Sequence, residues 1–318
     1  MKNTLYFGDN LTVLRDRIDD ETVDLVYLDP PFKTNQDYKT AETTAFSDTW
    51  EWNAVSQACF AETVARGGDV SLVMQAFRTA LGGNDMLAYL TMIAPRLVEL
   101  HRVLKPAGSI YLHCDPTASH YLKLLLDAIF RPQNFLNEIV WHYRKWPLGK
   151  YTFQRNHDVL LFYAKSGSRE RVFNQQYMAR SASTLKRFGT ARIVSGYDAE
   201  GVRRPSETSD EASEGVRLDD VWDIGRVPPV KQLYPTQKPQ PLLERIIETS
   251  SNAGQVVLDP FCGSGTTIIA AQKLNRRWLG IDNTELAIRV VLRRLKQSFP
   301  DQQINYDVRG EPAPLQLM

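Results

Sequence analysis

Four consecutive residues, Asp29-Pro30-Pro31-Phe32, bring two hydrogen-bond acceptors and an aromatic ring to one point of the chain. An exocyclic amino group on a nucleobase is a poor nucleophile, because its lone pair is delocalised into the ring. The Asp29 carboxylate and the Pro30 carbonyl could accept its two hydrogens and draw the nitrogen toward a tetrahedral geometry. The prolines fix φ and so help to aim this carbonyl.

The ring of Phe32 could stack on such a base, an interaction worth ~1–3 kcal/mol. These residue types need neither a metal nor a covalent intermediate for the chemistry, so we expect no metal site. The alternative interpretation of the corner is an ordinary turn after a strand, which Asp and Pro commonly form.

A glycine turn forms the second candidate site, with the sequence Asp259-Pro260-Phe261-Cys262-Gly263-Ser264-Gly265-Thr266-Thr267. Glycines between a strand and a helix let the backbone turn sharply and approach a ligand closely. The turn lacks the third glycine of the dinucleotide fingerprint and the Lys-Ser/Thr of a Walker loop. Asp282 ends the next strand, where doubly wound folds hold a ribose diol. These features indicate a nucleoside-cofactor site, with a structural βαβ turn as the alternative.

Buried strands and amphipathic helices alternate around the two sites, and Asn10 is expected to cap the first helix. The predicted strands are 4–7, 23–29, 109–115, 135–143, 157–165, 255–259 and 276–282. The predicted helices include 87–104, 239–250, 266–274 and 284–298. This alternation predicts an α/β fold with a doubly wound, mostly parallel sheet.

Two stretches interrupt the alternation. Residues from about 40 to 92 form a predicted helical insertion, broken at Gly67-Gly68 and Gly82-Gly83. Residues 166–232 show little periodicity and predict a separate small domain or a set of long loops. We therefore divide the chain into 1–165, 166–232, 233–300 and a tail, 301–318, which carries no clear signal.

Charge is distributed unevenly along the chain, although its formal net value is only +1. Residues 141–205 contain 13 Lys and Arg against 4 Asp and Glu, whereas 206–220 contain 6 acidic residues against one Arg. A basic segment in a neutral protein can be an electrostatic footprint for phosphates. A solvated surface explains the charges equally well.

The remaining composition is that of an ordinary globular protein, with 43% hydrophobic and 24% charged residues. No apolar run approaches the ~18 residues that a membrane span needs, and the first residues lack a signal-peptide core. The three cysteines are far apart and lack metal-ligand spacing. We expect free thiols in a reducing cytoplasm.

Together the two sites resemble the β-class amino-methyltransferases of DNA, which share an (N/D/S)-P-P-(Y/F/W) corner and an F-x-G-x-G turn. In that class the catalytic half precedes the cofactor half, as here. Three further segments resemble the family: Gly8-Asp9-Asn10, Asn156 to Tyr163, and Tyr234-Pro235-Thr236-Gln237-Lys238-Pro239. The resemblance implies a circularly permuted, Rossmann-like S-adenosylmethionine-dependent methyltransferase fold. Its target-recognition region would be inserted at 166–232.

The resemblance also implies roles for individual residues. Asp29, Pro30, Pro31 and Phe32 would form the catalytic corner. Residues that would bind S-adenosylmethionine are Asp9, Thr236, Lys238, Asp259, Phe261, Gly263, Gly265, Thr266 and Asp282. Asp9 would meet the cofactor adenine and Asp282 its ribose, whereas Thr236 and Lys238 would lie near its methionine end. Asp9 could instead be only a helix cap, and Lys238 only a surface lysine.

The implied partner is double-stranded DNA, so the resemblance also implies association with the nucleoid. The target base must be flipped out of the duplex to reach a buried donor. Residues that could hold its phosphates are Arg144, Lys145, Lys150, Arg155, Arg180, Lys186 and Arg187. Trp141, Tyr143, Trp146 and Tyr151 lie among these charges, and for Trp141 a core position is the better interpretation. Judged from the family, Asp at position 29 favours N6 of adenine.

Several alternatives stay open at this point. The same fold serves N4-cytosine methylation, and related corners occur in enzymes that act on RNA or on a protein amide. A catalytically silent DNA-binding scaffold is a further alternative, against which the intact corner and turn argue. A homodimer and a separate restriction partner are both compatible with the sequence. The 40–92 insertion could serve dimerisation or additional DNA contact.

Overall fold

The computed structural model of the chain describes residues 2–32, 37–39, 44–146 and 151–310. The chain divides into a larger unit, Met1–Phe173 with Asp220–Met318, and a smaller unit, Asn174–Asp219. The first part of the larger unit contains β1 (Asn3–Phe7), α1 (Asn10–Arg17), β2 (Val23–Leu28), β3 (Asp37–Lys39), β4 (Thr44–Ser47), α2 (Ala54–Ala65), α3 (Gly68–Leu81), α4 (Asp85–Val103), β5 (Leu104–Cys114), α5 (Ser119–Phe130), a 3-10 turn (Pro132–Asn134), β6 (Phe135–His142) and β7 (His157–Ala164).

The smaller unit consists of short elements, which we describe by themselves. They are β8 (Tyr177–Met178), α6 (Ala182–Phe188), β9 (Ala191–Val194), β10 (Glu207–Ala212) and β11 (Val216–Arg217). Strand β9 pairs with β10 and β8 pairs with β11, both antiparallel. Helix α6 begins after Ser181, whose side chain accepts a hydrogen bond from the Thr184 amide and so caps the first turn.

The larger unit resumes after residue 219 and completes the central sheet. Its elements are β12 (Val221–Asp223), a 3-10 turn (Pro229–Lys231), α7 (Gln240–Ser250), β13 (Val256–Asp259), α8 (Thr266–Lys273), β14 (Arg277–Asp282), α9 (Glu285–Ser298) and β15 (Tyr306–Arg309).

Within the described residues, nine strands form the central sheet in the order β12-β6-β7-β5-β2-β13-β14-β1-β15. Strand β7 runs antiparallel to both of its neighbours, and the other pairs are parallel. Every residue of β2 and β13 is buried, as expected for central parallel strands covered on both faces. The predicted doubly wound, mostly parallel α/β sheet is confirmed.

Alternate residues of the strands pack against different groups of helices. On one face, Leu28 and Leu112 join a core that includes Leu14 of α1, Leu90 of α4 and Leu122 of α5. The neighbouring residues along the same strands, such as those at positions 27, 111 and 113, are buried on the opposite face of the sheet. Both faces of the sheet therefore exclude water, so each buried polar side chain on its strands needs a structural or functional explanation.

The carboxyl ends of four parallel strands meet at one edge of the sheet. Strands β2 and β13 are neighbours at its centre. The chain continues from β13 to the adjacent β14 on one side, and from β2 to the adjacent β5 on the other. Doubly wound folds bind ligands in the crevice at such a switch point. The ends of β1 and β14 complete this edge.

The helical insertion largely follows the sequence prediction. Helices α2 and α3 are separated at Gly67, and α3 ends at Gly82, where both glycines have positive φ. The predicted cap of the first helix was wrong by one residue. Asp9, not Asn10, is the N-cap of α1, and its side chain accepts a hydrogen bond from the Thr12 amide at 3.1 Å.

Two short strands lie in segments for which the sequence analysis named no strand. Strand β12, inside the 166–232 stretch, pairs with β6, and β15, inside the tail, pairs with β1. Both lie at the edges of the sheet and are too short to show a period of two. Cys59, Cys114 and Cys262 are free thiols, as expected. In the described part of the chain, no helix is long and apolar enough to cross a membrane.

Candidate active site

A pocket of about 540 Å³ opens at the switch point of the sheet. Its wall is formed by the residues that follow β1, β2, β13 and β14, together with Trp50, Arg96 and the segment 234–238. Ligand pockets of proteins commonly enclose about 300–1,000 Å³. The fold thus brings the Asp-Pro-Pro-Phe corner and the glycine turn, separated by more than two hundred residues, into one cavity.

The corner residue Asp29 follows β2 directly, and its two carboxylate oxygens differ. The Lys238 ammonium donates a hydrogen bond to Oδ2. The Lys238 Nζ also lies 4.8 Å from the centre of the Phe32 ring, a cation–π contact. Oδ1 is buried and accepts no hydrogen bond from any residue that the structure describes. An unsatisfied buried carboxylate oxygen is costly, so its place is that of a ligand acceptor.

Lys238 lines the pocket, and its contact with Asp29 was not predicted from the sequence. Its side chain is 9% exposed, so it is not a surface lysine. It reaches Asp29 because the segment 234–238 lies beside the corner. Thr236, in the same segment, has φ +59°, a left-handed conformation that non-glycine residues rarely adopt. The buried Tyr234 packs close to Gly263 and so links this segment to the glycine turn.

The glycine turn has the conformation that its sequence predicts. Gly263 and Gly265 have φ of +45° and +73°, where a side chain would be strained. A Cβ atom on Gly265 would also lie 2.7 Å from the side chain of Val291. Helix α8 starts at the next residue, Thr266, so its first amide groups face the pocket edge.

Asp282, at the end of β14, shapes this turn through hydrogen bonds. Its Oδ2 accepts from the Gly263 amide at 2.9 Å, and its Oδ1 accepts from the amide and hydroxyl of Thr284 at 2.9 and 2.7 Å. Burial raises the pKa of Asp282, and the hydrogen bonds from Thr284 and Gly263 partly offset this.

Asp259, at the end of β13, is buried deeper. Burial raises its pKa to about 7, although hydrogen bonds from the Thr267 hydroxyl and the Phe261 amide oppose the shift. These two donors lie 2.5 Å from Oδ2 and 3.0 Å from Oδ1. Asp259 therefore fixes the start of the glycine turn and the first turn of α8, with Phe261 between them at the pocket wall.

Asp9 is a helix cap and also part of the pocket wall. Its Oδ2 pairs with the Arg96 guanidinium at 2.6 Å. Arg96 in turn donates to the Asn10 side chain at 2.5 Å, and Asn10 donates to the Pro260 carbonyl at 2.7 Å. This chain of contacts joins α4 and the end of β1 to the glycine turn. Burial lowers the pKa of Arg96, and the charge of Asp9 opposes that shift.

Two residues that support the site were missed from the sequence. Arg96 belongs to α4, and nothing in its local pattern distinguishes it from a surface arginine. Arg294 of α9 is buried, and it donates to the Ser264 carbonyl at 2.7 Å and to the Thr266 hydroxyl at 3.1 Å. A charged residue at an inward position of the final amphipathic helix was the available signal for Arg294.

The basic residues predicted to contact phosphates are distributed over both units. Arg144, Lys145 and Arg155 belong to the larger unit, between or next to β6 and β7, and Arg144 and Arg155 are exposed. Arg180, Lys186 and Arg187 belong to the smaller unit. Lys150 lies outside the described residues. Trp141 is buried in the core, as interpreted from the sequence, and its indole donates to the Ile224 carbonyl.

The fold and the pocket define a class of protein, a doubly wound α/β protein with a glycine-lined pocket beside an Asp-Pro-Pro-Phe corner. Comparison with known families makes this specific. Residues 23–293 match the model of the DNA methylase family that comprises N6 and N4 methyltransferases. Because the match covers most of the chain, the chain belongs to this family of DNA methyltransferases, whose methyl donor is S-adenosylmethionine.

Individual relatives agree with the family. The type II methyltransferase M.BamHI of Bacillus amyloliquefaciens is 28% identical over 94% of this chain and 58% of its own length, so this chain spans less than two thirds of it. The DNA adenine methyltransferase YhdJ of Escherichia coli strain K12 is 27% identical over 92% of this chain and 82% of its own length.

A solved structure shares the fold. The crystal structure of M1.HpyAVI with S-adenosylmethionine aligns with a TM-score of 0.52 at 17% identity, covering 92% of this chain and 98% of that one. The pocket described above fits such a cofactor in three respects. Its volume is adequate, glycine backbone lines one side of it, and the carboxylates of Asp9, Asp29 and Asp282 line it as hydrogen-bond acceptors.

Proposed function

We propose that this chain methylates N6 of adenine at specific sites in double-stranded DNA. The observation that carries the proposal is the Asp29 carboxylate, with a buried oxygen that accepts no hydrogen bond within the described part of the chain. A charged acceptor of this kind suits an amino group that must be polarised. The similarity to YhdJ, a DNA adenine methyltransferase, also supports adenine.

The corner residues would act by positioning. Asp29 and the Pro30 carbonyl accept hydrogen bonds from the two amino hydrogens, while Phe32 stacks against the base. Once the nitrogen is held in line with the donor, the reaction needs little further assistance, because well-oriented reactants gain several kcal/mol from proximity, roughly 7–11 in favourable cases. Bound S-adenosylmethionine supplies the activated methyl group. The proton lost from the nitrogen passes to Asp29 or to water.

The cofactor side of the pocket would be built mostly from backbone. Phe261, Gly263 and Gly265 would wrap the nucleoside, beside the start of the helix at Thr266. Asp282 would accept from the ribose hydroxyls, and Asp9 from the adenine amino group. Lys238 and Thr236 would hold the methionine end. The Asp259 carboxylate holds the turn in shape from below.

The DNA would be held by the basic residues of both units. A base inside a duplex cannot enter a pocket at the switch point, so the target must be flipped out, at a cost of a few kcal/mol. Arg144, Lys145 and Arg155 flank the β6–β7 connection, which starts at the same sheet edge as Asp29. We assign the smaller unit, within the 166–232 region, to target recognition.

Nucleoside mass spectrometry tests the proposal directly. The purified chain is incubated with S-adenosylmethionine and mixed-sequence duplex DNA, and the digested nucleosides are quantified. We expect N6-methyladenine, absent from a matched reaction with the Asp29→Ala variant. N4-methylcytosine in its place would keep the mechanism and overturn the choice of base. Methyl transfer to RNA alone would overturn the assigned substrate.

A further inference from the structure

A buried histidine lies beside the catalytic corner and has no part in the function proposed above. His113 is on β5 and is 0% exposed. It faces the same side of the sheet as Tyr111, two residues earlier on the strand. Buried histidines in this setting are either simple core residues or supports of a functional group. The contacts of His113 decide between the two.

The His113 ring contacts both working parts of the corner. Its Nδ1 lies 3.6 Å from Oδ1 of Asp29, the oxygen left without a hydrogen bond among the described residues. Its ring centre lies 5.2 Å from that of Phe32, with the two planes tilted by 53°. The Tyr27 hydroxyl forms a hydrogen bond of 2.9 Å with the same Nδ1, so the Asp29 oxygen packs against the ring without a hydrogen bond from it. A rotation of the imidazole would therefore disturb the acceptor and the stacking ring together.

The opposite side of the ring is anchored. The Nε2 atom lies 3.3 Å from Oδ2 of Asp158 on β7, and Oδ1 of Asp158 accepts a hydrogen bond from the Tyr143 hydroxyl at 2.9 Å. The Trp141 indole packs edge-on at 5.4 Å. Burial alone would raise the pKa of Asp158, but the hydrogen bond and charge interaction with His113 lower it. The lowered pKa favours the carboxylate form of Asp158, which can accept a hydrogen bond from Nε2 of His113.

We propose that His113 is a positioning residue, which Asp158 anchors and which sets the direction of the Asp29 carboxylate and supports the Phe32 ring. This inference rests on the proposed methylation of an exocyclic amino group at Asp29. It assigns to β5 and β7 a role in the reaction that their burial alone would not suggest. Anchored imidazoles are often oriented in this way, by a carboxylate on the second ring nitrogen.

The expected signature is a loss of rate without a loss of binding. A displacement of about 1 Å at a reacting group can cost on the order of 100-fold in rate. His113→Gln keeps an amide near the Nε2 position and removes the group near Asp29. His113→Asn keeps an amide near Nδ1 and gives up the contact with Asp158. We expect His113→Gln to lower the single-turnover rate roughly 100-fold and His113→Asn to recover part of it.

A matched control is available on the same strand. Tyr111 is 1% exposed, lies on the same face, and exchanges a hydrogen bond of 2.7 Å with Ser250. Tyr111→Phe removes a polar contact that is as deeply buried as His113 but lies away from the corner. We expect Tyr111→Phe to keep the wild-type rate. Cofactor and DNA dissociation constants should stay within about twofold for all three variants, a difference well below tenfold.

The experiment measures single-turnover methyl transfer, equilibrium binding of S-adenosylmethionine and DNA, and thermal melting for the four proteins. A His113→Gln variant that melts like wild type and reacts within threefold of it would overturn the inference. An equal loss in Tyr111→Phe would also overturn it, since β5 would then act only as packing. A wild-type protein without methyl transfer to any nucleic acid would instead remove the proposed function itself.

Discussion

The carboxylates that follow β2 and end β14 lie in the same pocket but are held in different ways. Asp282 has both oxygens occupied by nearby groups, the Gly263 amide and the amide and hydroxyl of Thr284. Asp29 has one oxygen paired with the Lys238 side chain, and the other accepts no hydrogen bond within the described residues. The Asp282 carboxylate is therefore held by the local backbone and Thr284, whereas Asp29 keeps one oxygen available to accept a hydrogen bond from a ligand.

This difference separates two tasks of the site. A carboxylate that shapes a backbone turn affects whatever the turn binds, and its loss changes affinity and stability. A carboxylate with free acceptor capacity, supported by side chains, can respond to a group that arrives with the substrate. We therefore expect substitutions at the β2 corner to act on turnover, and substitutions at the β13–β14 side to act on cofactor binding and folding.

The largest expected effect is that of Asp29→Ala. Removing a preorganised group aimed at the reacting atom typically costs on the order of 10²–10³ in rate. The variant should bind S-adenosylmethionine nearly as wild type does, because Asp29 does not shape the glycine turn. Asp29→Asn keeps one acceptor oxygen, so its rate should lie between those of the wild type and Asp29→Ala. Rapid-quench kinetics with calorimetry of cofactor binding measures both quantities, and a fully active Asp29→Ala protein would contradict the placement of chemistry at this corner.

A smaller effect is expected for Asp282→Ala, and it should fall on cofactor binding rather than on turnover. Hydrogen bonds to a charged group are worth about 1.5–3 kcal/mol each, so S-adenosylmethionine should bind roughly 10- to 100-fold more weakly. Thr284→Val removes one donor to Asp282 but leaves the Gly263 contact, and should cost less. Calorimetric titration compares the three proteins. Unchanged affinity in Asp282→Ala would move the ribose contact elsewhere.

The local structure of the Asp29 corner and of the glycine turn could be predicted from the sequence, because neighbouring residues encode each of them. The Asp-Pro-Pro-Phe corner directly follows a buried apolar run, and the glycine turn lies between a strand and a helix whose periods are clear. These local patterns also suffice for the class of fold. The short edge strands β12 and β15 were not predicted, because pairing with a neighbour, rather than their own residues, makes them strands.

The supporting contacts could not be predicted because they form between residues that are distant in the sequence. Arg96 reaches Asp9 over 87 positions, Lys238 reaches Asp29 over 209, and Arg294 reaches the glycine turn from the last helix. The local sequences of Arg96 and Lys238 give no reason to prefer a buried ion pair to a solvated charge, and the inward position of Arg294 does not identify its partners. Only the parallel arrangement of β1, β2, β13 and β14 brings the partners together.

A third prediction concerns the backbone of the glycine turn. Gly265→Ala places a side chain at φ +73° and against Val291, and the left-handed conformation alone costs about 1–2 kcal/mol. We expect a lower free energy of unfolding and weaker cofactor binding, with turnover at saturating cofactor less affected. Gly263→Ala meets only ordinary contacts at 3.4 Å and should cost less. Urea unfolding of both variants ranks them, and an equal loss would show that the contact with Val291 is relieved at no cost.

The smallest expected effect is a pH dependence of stability that originates at Asp259. Its pKa in the folded protein is raised by burial to about 7, whereas an unfolded Asp titrates near 4. The folded state therefore retains a proton that the unfolded state has lost, and stability falls as pH rises between these two values. From pH 5.5 to 6.5 the wild type should lose about 1 kcal/mol more than Asp259→Asn, which cannot titrate. Urea unfolding of both proteins at the two pH values measures this difference. A parallel pH response of the two proteins would mean that Asp259 is ionised in the folded state, with the Thr267 and Phe261 donors compensating its burial.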